Sequence, residues 1–117
     1  MLDKDVIAQL IADIGDDVFL RLSKQFLDET IERLETLLAC RSQAAWSDLA
    51  RHAHSLKSTA QSFGLPETGQ QARLLQMAAD NLDIAAVDAI LPQLISIASA
   101  ECDEFDVMRR GLAVSSR

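Results

Sequence analysis

Six apolar residues, Trp46, Leu49, Ala53, Leu56, Ala60 and Phe63, recur at intervals of 3, 4, 3, 4 and 3. On an α-helix of about 3.6 residues per turn they fall along one face, whereas on a strand they would scatter over both. Such a stripe has to be covered, and its 3-4 alternation suits the seam between helices of a bundle. Gly64 directly after it stops the helix. Pro66 then stands at the first turn of the next helix, where a missing N–H costs nothing.

Four further segments carry the same period. From about Asp3 to Ile14 the face is Val6, Ile7, Leu10, Ile11 and Ile14, with Asp3 as N-cap. Gly15 ends this helix, and Asp16 or Asp17 is expected to cap the next, which runs from about Val18 to Cys40. Its main stripe reads Leu20, Leu27, Ile31, Leu34 and Leu38, and a second one, Phe19, Leu22 and Phe26, occupies only its N-terminal half. Arg41, Ser42 and Gln43 form a polar break in which Ser42 can cap the striped helix that follows. The fourth helix, about Pro66 to Ala79, offers Ala72, Leu75 and Ala79, and Asn81, Leu82 and Asp83 make the next turn. The fifth segment holds Val87, Leu91, Leu94, Ala98, Cys102 and Phe105, with Pro92 predicting a kink or a break near Leu91. Only four Gly and two Pro are present in 117 residues, so there is little material for hairpins. Short loops make neighbouring helices antiparallel. The predicted fold is all-α: an antiparallel four-helix bundle with an additional N-terminal helix packed across one end. It forms one domain over residues 1–110, followed by a frayed tail at 111–117.

A formal charge of −7 argues against a nucleic-acid surface. Cys40 and Cys102 share no metal-ligand spacing with each other or with His52 and His54, so no metal site is expected and reduced, buried thiols are. No apolar run approaches the length of a membrane span, and Met1-Leu2-Asp3-Lys4-Asp5 lacks a signal-peptide pattern, so a cytoplasmic protein away from membranes is expected. Met77 and Met108 read as core or core edge.

The chemistry lies on the other side of the striped helix. His54 projects about 130° from the centre of the stripe and Lys57 about 70°. With Arg51, Ser58 and Gln61 they form a polar flank, and small residues (Ala50, Ala53, Ser55, Thr59) leave the imidazole open to a macromolecule. An unprotonated ring nitrogen is a good nucleophile toward phosphorus, and a cation one turn away can steady phosphoryl oxygens. A Gln on the adjacent helix could fix the tautomer through the other nitrogen. His52, two residues away, points about 160° elsewhere and reads as a half-buried structural residue.

The run from His54 through Lys57, Ser58, Thr59 and Phe63 to Gly64 resembles the phosphoacceptor helix of histidine-containing phosphotransfer (HPt) domains. So does Gln76, 22 residues after the histidine, where family members often carry a Gln that binds the imidazole. The likeness extends from Leu2 to about Phe105. It implies that phospho-His54 relays a phosphoryl group between aspartates of response-regulator receiver domains, downstream of a hybrid or upstream histidine kinase. In that scheme Lys57 stabilises the phosphoryl oxygens and Gln76 orients the ring. The chain would need no cofactor of its own, because Mg²⁺ belongs to the receiver's acidic pocket. The chain shows none of the Gly-rich or acidic motifs of an ATP site and its five-segment layout suits a monomer, so a monomeric phosphocarrier, unable to phosphorylate itself from ATP, is expected. Val18, Leu22, Arg51, Ser58 and Gln61 are the expected partner contacts. One departure stands out: the family's Gly after the Lys is Ser58, which adds a hydroxymethyl group at the docking face. The alternative is a phosphorylation-inactive module of the same fold that binds or sequesters a receiver.

Overall fold

A computed structural model describes residues 1–115, which form five helices: α1 (Lys4–Ile14), α2 (Asp16–Ser42), α3 (Trp46–Ser62), α4 (Pro66–Asp80) and α5 (Ile84–Ser115). α2 to α5 run antiparallel in sequence, and α2 packs back on α5 to close the bundle. The three turns between them share one geometry. The N–H groups of Ala45, Leu65 and Asp83 bond the carbonyls of Cys40, Ala60 and Ala78. The residue before each closing N–H is left-handed: Ala44 (φ 53°), Gly64 (φ 81°) and Leu82 (φ 54°). Only Gly64 advertised this in the sequence. A side chain there would meet the Asp3 carbonyl at 2.9 Å, and the Asp3 N–H donates to the Gly64 carbonyl at 2.8 Å, so this turn is where α1 docks.

The striped helix packs as its period requires, with Leu49, Ala53, Leu56 and Ala60 fully buried and Trp46 and Phe63 at its half-buried ends. Arg41 lies over the Trp46 ring at 5.2 Å. α2 corrects the reading of its stripe. The buried line is Phe19, Ser23, Phe26, Leu27, Thr30, Leu37 and Cys40, whereas Ile31 and Leu38 are 55% and 49% exposed. Two hydroxyls sit in the seam because their own helix satisfies them: Thr30 Oγ1 donates to the Phe26 carbonyl (2.7 Å) and Ser23 Oγ to the Leu20 carbonyl (3.1 Å). Asp16 and Ser42 are helical residues; Gly15 and Ala45 stand at the N-caps of α2 and α3 without a side-chain bond. Asp3 does cap α1, accepting from the Val6 N–H at 3.2 Å. Met77 is 48% exposed, outside the core, while Met108 packs at the edge of the α1 cluster.

α5 is one continuous helix. Pro92 lies on its exposed face, where the Asp88 carbonyl that loses its partner can turn to water. The helix continues through Gly111 to Ser115, past the point where the sequence predicts a frayed tail; positions 116 and 117 of that segment lie outside the described residues. α5 also contains an 18-residue window of mean hydropathy 1.4, long and apolar enough by composition to cross a membrane, contrary to the expectation that no such run exists. Val87, Leu91, Leu94 and Ala98 of that stretch form the bundle core.

Because α3 and α4 are short, the N-terminal part of α2 and the C-terminal part of α5 extend beyond them, and α1 fills the resulting end. Leu2 and Ile7 join Phe19, Phe26, Leu65 and Phe105 in a second apolar cluster, where Phe26 stacks on Phe63 and meets Phe105 edge-on. Two polar anchors fix this end. Arg109 of α5 donates to Ser23 Oγ (3.2 Å) and the Leu20 carbonyl (3.1 Å) of α2. Glu101, only 1% exposed, takes the core position of α5 assigned to Cys102, which is half-buried. Its carboxylate accepts the N–H groups of Thr68 (2.6 Å) and Glu67 (3.4 Å) at the start of α4, where Leu65 has no capping side chain.

Candidate functional site

His54 stands exposed at mid-α3, and its Nδ1 lies 3.2 Å from Gln76 Oε1 on α4. With the amide oxygen as acceptor, Nδ1 carries the proton of the neutral ring, which leaves the Nε2 lone pair free. Two glycines set the stage for this contact. Gly64 makes the turn that runs α4 back along α3. Gly69 lets the two helices close up: a Cβ there would press on Gln61 Cγ at 3.1 Å and approach the Lys57 carbonyl at 3.7 Å.

Lys57 is half-buried one turn after His54, and its ammonium has no hydrogen bond or ion pair among the described residues. Helical side chains lean toward the N-terminus, so a cation at this position lies on the side from which it can approach the histidine. Arg51, one turn before the histidine, lines the same cleft and is held by Asp48 at 3.0 Å. Ser58 and Gln61 are exposed along the same ridge. Leu22 is 38% exposed and borders a shallow hollow with Gln25, Glu29, Thr59 and Phe63; Val18 is half-buried. Phe19 and Phe26 are core, so of the stripe Phe19, Leu22 and Phe26 Leu22 alone reaches the surface.

His52 is half-buried between α2 and α3, where its Nδ1 accepts from Arg33 Nη1 at 2.9 Å. Burial, then the charges of Arg51 and Arg33, push its pKa below the ordinary value. The fold therefore favours the neutral ring. As pH falls below about 6.5 the unfolded chain takes up this proton first. His52 thus supports stability above that pH, and the contribution is lost as acidity approaches the lowered folded pKa. Between neutrality and pH about 5, the unfolding free energy should fall more steeply for the native chain than for His52→Gln, as measured by urea titration at several pH values. Equal slopes would show that the ring is unperturbed.

Three residues were missed by the sequence reading: Gly69 between α3 and α4, Asp80, which shares a cleft with His54 and Gln76, and, away from the site, Glu101 at the start of α4. Glu101 was signalled in principle, since it interrupts the apolar line between Ala98 and Phe105 at helical spacing. No periodicity marks the other two. Among the described residues no group of three or more His, Cys, Asp or Glu could hold a metal ion. Burial pushes the Cys102 thiol up to about 11.

Among the described residues, the helical bundle presents an exposed imidazole whose Nδ1 meets a glutamine amide oxygen of the next helix, with a lysine that makes no ion pair one turn further on. The profile of the Hpt domain family matches residues 18–102, and the chain belongs to that family. Hpt domains are phosphocarrier modules of phosphorelays, acting with receiver domains and kinases. The fold is also that of histidine-containing phosphotransfer protein B (HptB) from Pseudomonas aeruginosa PAO1, with a TM-score of 0.88, 23% identity and coverage of 93% of this chain and 94% of that one. A search of curated proteins found no match.

Proposed function

We propose that His54 takes a phosphoryl group from the aspartate of one receiver domain and passes it to the aspartate of another. The observation that carries this is the 3.2 Å contact between Nδ1 and Gln76 Oε1, which leaves Nε2 as the outward nucleophile. In each transfer Nε2 gains or loses a bond to phosphorus while a carboxylate oxygen loses or gains one. Lys57 steadies the equatorial oxygens, where charge accumulates. The receiver brings the Mg²⁺, and this chain needs neither cofactor nor ATP. The receiver docks over the exposed ridge of α3 and the Val18–Leu22 edge of α2, with Arg51, Ser58 and Gln61 at its rim. The phosphate originates from a hybrid or upstream kinase, and the protein works as a monomer in the cytoplasm.

Mixing the chain with a phosphorylated receiver domain tests this. An acid-labile, alkali-stable label on the chain is expected. Receiver binding without label would instead establish the sequestering module. Lys57→Ala should slow transfer by about 10- to 100-fold. Its helical circular dichroism should be unchanged, because the ammonium has no partner among the described residues; a loss of helicity would assign Lys57 to packing.

A further inference from the structure

The cleft beside His54, about 460 Å³ in volume and bordered by Ser47, Arg51, Gln76 and Asp80, has an asymmetric charge. Arg51 lines the same cleft, and its guanidinium is already paired with Asp48 at 3.0 Å. Asp80 ends α4, one turn after Gln76. Since α4 runs antiparallel to α3, the N-terminal lean of helical side chains carries the Asp80 carboxylate toward Gln76 and His54. Its side chain has no hydrogen bond or ion pair among the described residues. Nor does the fold account for it: an acid at the last position of a helix faces the negative end of the helix dipole.

We propose that Asp80 is a charge placed in the phosphoacceptor cleft to hold phospho-His54 at a raised transfer potential, so that it sets how phosphate divides between His54 and the carboxylates of its partners. This rests on His54 being the phosphoacceptor. Phosphorylation adds close to two negative charges at Nε2, and the Asp80 carboxylate repels them across an open, water-filled cleft. The phosphorylated state is raised in energy relative to the free one. When the group leaves, the N–P bond breaks, its electron pair returns to Nε2, and a P–O bond forms on the accepting carboxylate. The proton on Nδ1 stays against Gln76.

The test uses the whole chain and phosphoramidate, which phosphorylates histidine directly. The reagent's P–N bond breaks, ammonia leaves, and Nε2 bonds to phosphorus. At fixed reagent and ammonia concentrations the ³¹P NMR plateau of phosphohistidine reads the equilibrium. Asp80→Asn should raise the ratio of phosphorylated to free His54 about two- to fivefold. That gain should shrink toward none near 1 M salt, where the Debye length is about 3 Å. Asp80→Glu should stay close to the native chain. An unchanged plateau, or a gain insensitive to salt, overturns the role of Asp80 and leaves His54 as the acceptor. No label on the native chain, or equal label on His54→Gln, overturns the phosphoacceptor reading itself and this inference with it.

Discussion

Replacing His54 by glutamine will leave the bundle folded and abolish phosphoryl transfer. Glutamine is a good helix former, and the position is exposed, so stability should change by no more than about 0.5 kcal/mol. The chemistry cannot survive the change. An amide nitrogen has its lone pair delocalised into the carbonyl, and neither amide atom can form the phosphoramidate bond that Nε2 makes. Transfer from a labelled receiver, followed by gel and alkali-stable counting, should fall by about a thousandfold or more, to background. His52→Gln is the control, because the two imidazoles differ in their surroundings. His52 Nδ1 is engaged by Arg33 at 2.9 Å in the α2–α3 seam, whereas His54 presents Nε2 to solvent. Full labelling of His52→Gln together with none of His54→Gln assigns the site; label retained on His54→Gln would falsify it.

Glu101→Ala is expected to have the largest effect on stability. The first N–H groups of α4 have no intrahelical acceptor, and Leu65 at the N-cap supplies none, so the carboxylate of α5 does the capping from across the bundle. Removing it strands the Thr68 N–H in a buried position and takes away the polar tie between the start of α4 and α5. A stranded buried donor alone costs about 1–3 kcal/mol, and a lost helix cap about 1. A total near 3 kcal/mol lowers the melting temperature by about 10 °C or more in a domain of this size. Glu101→Gln keeps an oxygen for Thr68 and should recover more than half of that. Thermal melts of the three proteins decide it: an alanine variant within about 2 °C of the native chain would mean that water caps α4 equally well.

This carboxylate also marks where sequence and structure part. Helical periods located all five elements, because a helix repeats its buried face every three or four residues whatever it packs against. α3 was legible residue by residue, since its stripe is unbroken. α2 was not: its seam runs through Ser23 and Thr30, whose hydroxyls are satisfied by carbonyls of their own helix, while Ile31 and Leu38 lie exposed. Counting apolar residues therefore chose a face rotated from the real one. Glu101 escaped for a related reason, because a buried charge is tolerable only next to donors contributed by another element.

The same division runs through the site. The spacing of His54 and Lys57 on one helix, with Gly64 in the turn after it, could be read directly from the chain, and Gln76 on the next helix came from the family resemblance. What the sequence by itself determined was therefore a helical bundle with a histidine on an outer face. The tertiary structure alone showed that Gln76 Oε1 lies 3.2 Å from His54 Nδ1, that Arg51 is paired with Asp48, and that Asp80 lines the cleft. Those facts depend on how antiparallel α3 and α4 register against each other across Gly64 and Gly69, and the registry of two helices is set by packing between them, which no single-helix period encodes.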